Sequence, residues 1–127
     1  MRALIIDDDE IARELLRSSL EEASLDVFEL PSPIGATKKI IDEKINVVVL
    51  DVMMPEVSGD KLAKMLRGNP RMGRVGIVLV SSMKTEELRN LQRESGADAI
   101  VEKSRIREDL VTAVKLASRH STTRSGR

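Results

Sequence analysis

The 127-residue sequence has no cysteine, tyrosine or tryptophan, one histidine and one phenylalanine. Without cysteine there is neither a disulfide framework nor a thiolate metal site, which fits a reducing compartment. The single histidine, His120, excludes multi-histidine zinc centres. Any metal must then be held by oxygen, as a hard cation such as magnesium or calcium. No apolar run approaches the ~18 residues of a membrane span, and the N-terminus lacks the regions of a signal peptide. A soluble, cytoplasmic chain without membrane insertion is expected. An excess of charge is missing too: 21 Lys plus Arg balance 21 Asp plus Glu. No global field draws the chain to nucleic acid, and no direct nucleic-acid binding is expected. The balance is uneven along the chain. From Glu102 onward, Lys103, Arg105, Arg107, Lys115, Arg119, Arg124 and Arg127 outnumber Glu102, Glu108 and Asp109, so a basic C-terminal edge is expected.

Short apolar runs alternate with helical patterns along the chain. "ALII" (3–6), "VVVL" (47–50), "GIVLV" (76–80) and "DAIV" (98–101) read as strands, with "DVFEL" (26–30) a weaker fifth. The second and third of these runs are β-branched and lack polar alternation, as strands buried on both faces do. Five helices are expected between and after them. Ile11, Leu15, Leu16 and Leu20 mark the first, behind an Asp8 or Asp9 cap; Ile34, Ile40 and Ile41 mark the second, entered through Ser32 as cap and Pro33 in the first turn. Leu62, Met65 and Leu66 mark a third ending near Gly68, and Leu88 and Leu91 a fourth ending at Gly96. Ile106, Leu110, Ala113, Val114 and Ala117 mark a fifth capped by Ser104. Such βαβα alternation implies an α/β domain, a parallel sheet with helices on both faces. The polar stretch 119–127 reads as a flexible tail or the start of a linker. Met1 reads as a true start, so that any output domain would lie beyond Arg127.

In a parallel sheet the functional crevice lies at the carboxyl ends of the strands. Asp7 and Asp8 follow "ALII", Asp51 follows "VVVL", Ser81 and Ser82 follow "GIVLV", and Lys103 follows "DAIVE". Three carboxylates, a hydroxyl and an ammonium should therefore share one rim. They suit a divalent cation and a phosphoryl group: oxygen ligands for the metal, with the ammonium and hydroxyl as donors to phosphoryl oxygens. Singly, each residue is as well explained as a cap, a turn or a solvated charge. Jointly, the right residue type behind four different strands is hard to obtain by chance. Asp9 keeps the bland reading, as a cap or first-turn acid.

At these residues the chain resembles a response-regulator receiver domain of the CheY-like fold, over about residues 2–118. The densest match is "LDVMMPEVSGDKL", with Asp51, then Met54-Pro55, then Gly59. The resemblance implies a flavodoxin-like, doubly wound five-stranded parallel sheet of order 2-1-3-4-5 with five helices. It implies that Asp51 is the phosphoacceptor, and that Mg2+ is held by Asp8, Asp51, the Met53 backbone carbonyl and, through water, Asp7. Ser81 would follow the phosphoryl group, Ser82 would be its small neighbour and Lys103 a phosphate contact. The implied partners are a sensor histidine kinase or phosphotransfer protein and a downstream protein, the latter on the surface of the fourth helix, fifth strand and fifth helix.

Three departures are visible. The family usually has proline after the lysine; here it is Ser104, and because a cis bond before serine costs about 3–4 kcal/mol, a trans Lys103–Ser104 peptide is expected. The position of the switch aromatic is occupied by Ile100. Met53 and Met83 stand at two positions that the resemblance associates with control of dephosphorylation, and neither can orient water by a hydrogen bond. Two other readings compete. "IIDDDEI" also resembles the start of haloacid-dehalogenase-type phosphatases, with Asp7 as nucleophile and Asp9 as acid/base, but no later acidic pair follows a suitable strand. A non-phosphorylated pseudo-receiver would keep the fold as an interaction domain, against which the intact acids and lysine speak.

Overall fold

A computed structural model describes residues 1–72 and 74–125, with side chains described as far as residue 119 apart from that gap. Five strands, β1 (Arg2–Ile6), β2 (Asp26–Leu30), β3 (Val47–Asp51), β4 (Gly76–Ser81) and β5 (Ala99–Glu102), alternate with helices α1 (Glu10–Glu22), α2 (Ala36–Asp42), α3 (Gly59–Gly68), α4 (Thr85–Ser95) and α5 (Ile106–Ser125). Every pairing is parallel, in the expected order β2-β1-β3-β4-β5.

Alternation along each strand splits the core into two layers. Leu4, Ile6, Val48, Leu50, Ile77 and Leu79 pack with Ala36 and Ile40 of α2, Leu62 and Leu66 of α3, and Leu88 of α4. Ala3, Ile5, Val47, Val49, Val78 and Val80 pack with Leu16 and Leu20 of α1 and with Ile106, Leu110 and Val114 of α5. Each such Val, Leu or Ile side chain, fully buried, contributes roughly 1.5–3 kcal/mol. β3 and β4 are buried at every position, which is why their runs read as continuously apolar. β2 lies at the edge and is half-buried, hence its weaker signal.

Several local expectations hold. Asp9 caps α1, its carboxylate accepting from the Ile11 N–H at 3.1 Å. α3 ends at Gly68, and α4 stops at Gly96, whose φ of 79° suits a residue without a side chain. Others need correction. Ser32 and Pro33 form the turn before α2 rather than its first residues: Ser32 Oγ accepts from the Ile34 N–H at 3.2 Å, and α2 begins only behind Gly35, at φ 84°. A serine hydroxyl closes such a turn as readily as it caps a helix. Ser104 lies inside a 3₁₀ turn, Lys103–Arg105, that leads into α5. Tight 3₁₀ bonds satisfy orphan donors at the entry, so the serine is not the cap. The α5 backbone runs to Ser125, through much of the stretch 119–127 expected as a tail or linker start. Extending an existing helix fixes only one residue per added hydrogen bond. The final two residues of that stretch lie outside the described part. Ile11, Ile34 and Met65, expected on helix core faces, are exposed by 80%, 74% and 62%. No described helix is long and apolar enough to cross a membrane.

Candidate functional site

The strand order reverses between β1 and β3: the chain steps from β1 outward to β2, then returns to the other side of β1 to place β3. At such a switch point the connections leave in opposite directions and open a crevice above the carboxyl ends. Asp7 follows β1 directly, and Asp51 is the last residue of β3.

Carboxylate oxygens of Asp7, Asp8 and Asp51 lie within 4.8 Å of one another. Asp7 is fully buried; its Oδ1 accepts from the Asp9 N–H at 2.9 Å, while its Oδ2 has no hydrogen-bond partner among the described residues. The Lys103 ammonium lies 3.7 Å from that oxygen and 3.3 Å from Asp51 Oδ1. Asp51, 2% exposed, also accepts from the Met53 N–H at 3.3 Å. Asp8 is exposed at the mouth. Burial and, next, the Asp7 charge push the Asp51 carboxyl up to about 6, against the opposing pull of Lys103 and the Met53 amide.

Three carboxylates facing one ammonium leave the cluster net negative, and one buried oxygen without a hydrogen bond is costly unless a cation reaches it. A hard divalent cation with oxygen ligands fits this donor set, and magnesium suits a rim where it keeps several waters. Backbone packing shapes the floor. The Gly59 N–H donates to Val52 O at 2.9 Å, and a Cβ on Gly59 would stand 2.3 Å from the Asp51 carbonyl oxygen. Only glycine lets the start of α3 approach the acid-bearing turn so closely.

The remaining expected residues ring this centre. Ser81, fully buried at the end of β4, accepts from the Met83 N–H at 3.2 Å, which leaves its hydroxyl proton to be donated. Ser82 is exposed. Met53 is 63% exposed at the mouth, whereas Met83 is half-buried against the α2–α4 core layer. Ile100, partly buried, packs against that same layer. The Lys103–Ser104 peptide is trans, as expected. Asp9 is engaged as the α1 cap, in keeping with its bland reading.

Arg13, Thr85 and Glu102 also touch this region, with no role expected from the sequence. Arg13 Nη1 donates to the Asp7 carbonyl at 2.8 Å, and the Thr85 hydroxyl donates to Glu102, one residue before Lys103. Arg13 follows the Asp9 cap by four residues, one helical turn, and that spacing is the one signal that could have placed it over the site.

The response regulator receiver domain family matches residues 3–115. The alkaline phosphatase synthesis transcriptional regulatory protein PhoP of Bacillus subtilis (strain 168) is 33% identical over 120 residues, covering 94% of this chain and 49% of that protein. The chain spans about half the length of the curated transcriptional regulators it matches. Among solved structures, the BeF3-activated N-terminal receiver domain of Klebsiella pneumoniae RstA superposes with a TM-score of 0.81 at 28% identity, covering 94% of this chain and 99% of that one. The response regulator DrrB of Thermotoga maritima, an OmpR/PhoB homologue, gives 0.76 at 25% identity, with 90% of this chain and 50% of that chain covered. The family match reaches all five strands, and an acid cluster stands at their switch point. On these grounds the chain belongs to the response regulator receiver domains of two-component systems.

Proposed function

We propose that this receiver is a working phosphoacceptor: Asp51 takes a phosphoryl group from the phosphohistidine of a sensor kinase or phosphotransfer protein and thereby changes the chain's affinity for a downstream partner. The observation that carries this reading is the junction of three carboxylates and Lys103 at the carboxyl end of the sheet. In the transfer an Asp51 carboxylate oxygen attacks phosphorus in line, the P–O bond forms as the P–N bond breaks, and the electron pair leaves on the imidazole nitrogen. Lys103, 3.3 Å from Asp51, keeps the acceptor ionised and faces the incoming equatorial oxygens. Asp8, Asp51 and the Met53 carbonyl would hold Mg2+, with Asp7 acting through water. That ion would supply charge neutralisation on the phosphoryl oxygens and offset the repulsion among the acids.

Ser81 donates its free hydroxyl proton to the new phosphoryl group and draws its loop along, so the response is carried to the surface of α4, β5 and α5, where the downstream partner binds. Ile100 packs inward on this route and presents no ring that could swing. Met53 and Met83 flank the site without a group that could orient a hydrolytic water, so the acyl phosphate is comparatively long-lived. The chain acts as acceptor and switch rather than as a turnover enzyme, in the cytoplasm.

Magnesium-dependent labelling by acetyl phosphate tests the reading. Wild type should gain one alkali- and hydroxylamine-labile phosphoryl group, and no label should form in the presence of a chelator or in Asp51→Asn. A wild type that stays unlabelled under saturating magnesium would leave the pseudo-receiver, and a folded Asp51→Asn protein that still labels would move the acceptor elsewhere.

A further inference from the structure

The three acids of the site are not held alike. Asp7 is fully buried and hydrogen-bonded to the Asp9 amide; Asp51 is buried and held by the Met53 amide and Lys103. Asp8 is exposed, and no hydrogen bond or ion pair fixes its carboxylate among the described residues. Yet an oxygen of Asp8 lies within 4.8 Å of the other two. Its direction must therefore come from the backbone that carries it: the Asp8–Asp9 peptide, whose N–H donates to Asp7 Oδ1, and the Asp7–Asp8 peptide.

The Asp7–Asp8 peptide lies beyond the sheet. The last rungs of β1 pair Ile6 with Leu30 and with Leu50, so the Asp7 carbonyl has no strand partner. Arg13 supplies one, its Nη1 donating at 2.8 Å, and the side chain that does so is only 18% exposed. The guanidinium is itself anchored, with Nε 3.3 Å from Glu29 Oε1, while Arg17 Nη1 holds the other oxygen of Glu29 at 2.7 Å. A chain of contacts thus runs from β2 through α1 to the plane of the peptide that aims Asp8.

We infer that Arg13 is a positioning residue for the metal site: by fixing the Asp7 carbonyl it sets the direction of Asp8, the one acid with no partner of its own. It rests on the reading of the acid cluster as a magnesium site. Partners that orient metal ligands typically change affinity by about 10–100-fold when removed. Here one peptide stands between Arg13 and the ligand, and the lower end of that range applies.

The test is a titration with magnesium chloride alone, read by amide shifts of residues 7–9 and 51–53, with thermal midpoints measured on the same proteins without metal. Arg13→Met keeps the bulk and removes the donors; it should weaken magnesium binding by about tenfold. Arg13→Lys should recover most of that loss through a single restored donor. Arg17→Met removes the outer Glu29 contact only, and should leave affinity at the wild-type value even where the midpoint falls. Wild-type affinity in Arg13→Met, or an equal loss in Arg17→Met, overturns the inference in favour of a general loosening of α1 on β2. If Arg13→Met does not fold, Glu29→Gln replaces it. That variant keeps the donor but frees its anchor, so its loss should be smaller and in the same sense, and no loss at all overturns the inference. A folded wild type whose amides do not respond to magnesium removes the metal reading first, a result distinct from any difference between variants.

Discussion

Asp51 sits between opposing influences, and the balance is measurable as pH-dependent stability. Burial and the charge of Asp7 raise its carboxyl to about 6, while Lys103 and the Met53 amide act in the other direction; Asp8 faces the same cluster from the mouth. The unfolded chain titrates near the ordinary value of 3.8. Between those values the folded protein binds the extra proton, so the stability contributed by this group is greatest in acid and falls as pH rises towards 6. The fall is at most about 3 kcal/mol, one pKa unit being worth about 1.4 kcal/mol. In metal-free buffer, denaturation of wild type and Asp51→Asn across pH 4–7 should show the difference growing in favour of the variant up to about pH 6 and constant above. A difference independent of pH would mean that Asp51 ionises normally. The acids were legible in the sequence because strand ends fix where they emerge. Arg13 was not, because the reach of a long side chain to a carbonyl on another element depends on how α1 settles on the sheet.

At the scale of elements, what the sequence displayed well was what one period or one residue type decides. The apolar runs gave β3 and β4, and glycine gave the stops of α3 and α4. The reversals after α1 and α2 carry no glycine: Ser24 and Lys44 take them with φ of 67° and 53°, at a local cost that surrounding structure imposes and the sequence does not display. The start of α4 was hidden for a similar reason. Its own N-cap, Lys84, makes no side-chain cap bond; Glu102 at the end of β5 takes the Thr85 hydroxyl and brings a carboxylate to the helix N-terminus. Such an anion favours the exposed amide dipoles, and a hydroxyl hydrogen bond that holds it there is worth about 1 kcal/mol. Thr85→Val, which keeps shape and loses the hydroxyl, should lower stability by roughly that amount. It should also speed amide exchange in the first turn of α4 more than in α5. If denaturant midpoint and exchange both stay at wild-type values, the Thr85–Glu102 contact does not hold the start of this helix.

For the whole molecule, the switch point that creates the site also makes it expensive, because the doubly wound order brings the ends of β1 and β3 side by side with their acids facing. The two core layers are continuous and carry the fold without the site, so repulsion there can be tolerated. A cation that binds the folded cluster and not the unfolded chain must then stabilise the entire domain by mass action. At tenfold over its dissociation constant, magnesium should add about 1.4 kcal/mol to unfolding, readable as a shift of the denaturant midpoint at constant slope. Asp8→Ala separates the two contributions. With one charge removed from the cluster, the variant should be at least as stable as wild type in metal-free buffer, and it should gain almost nothing from magnesium. A variant that remained fully responsive would take Asp8 out of the ligand set. One that was less stable without metal would show that Asp8 has a structural role the exposed carboxylate does not reveal.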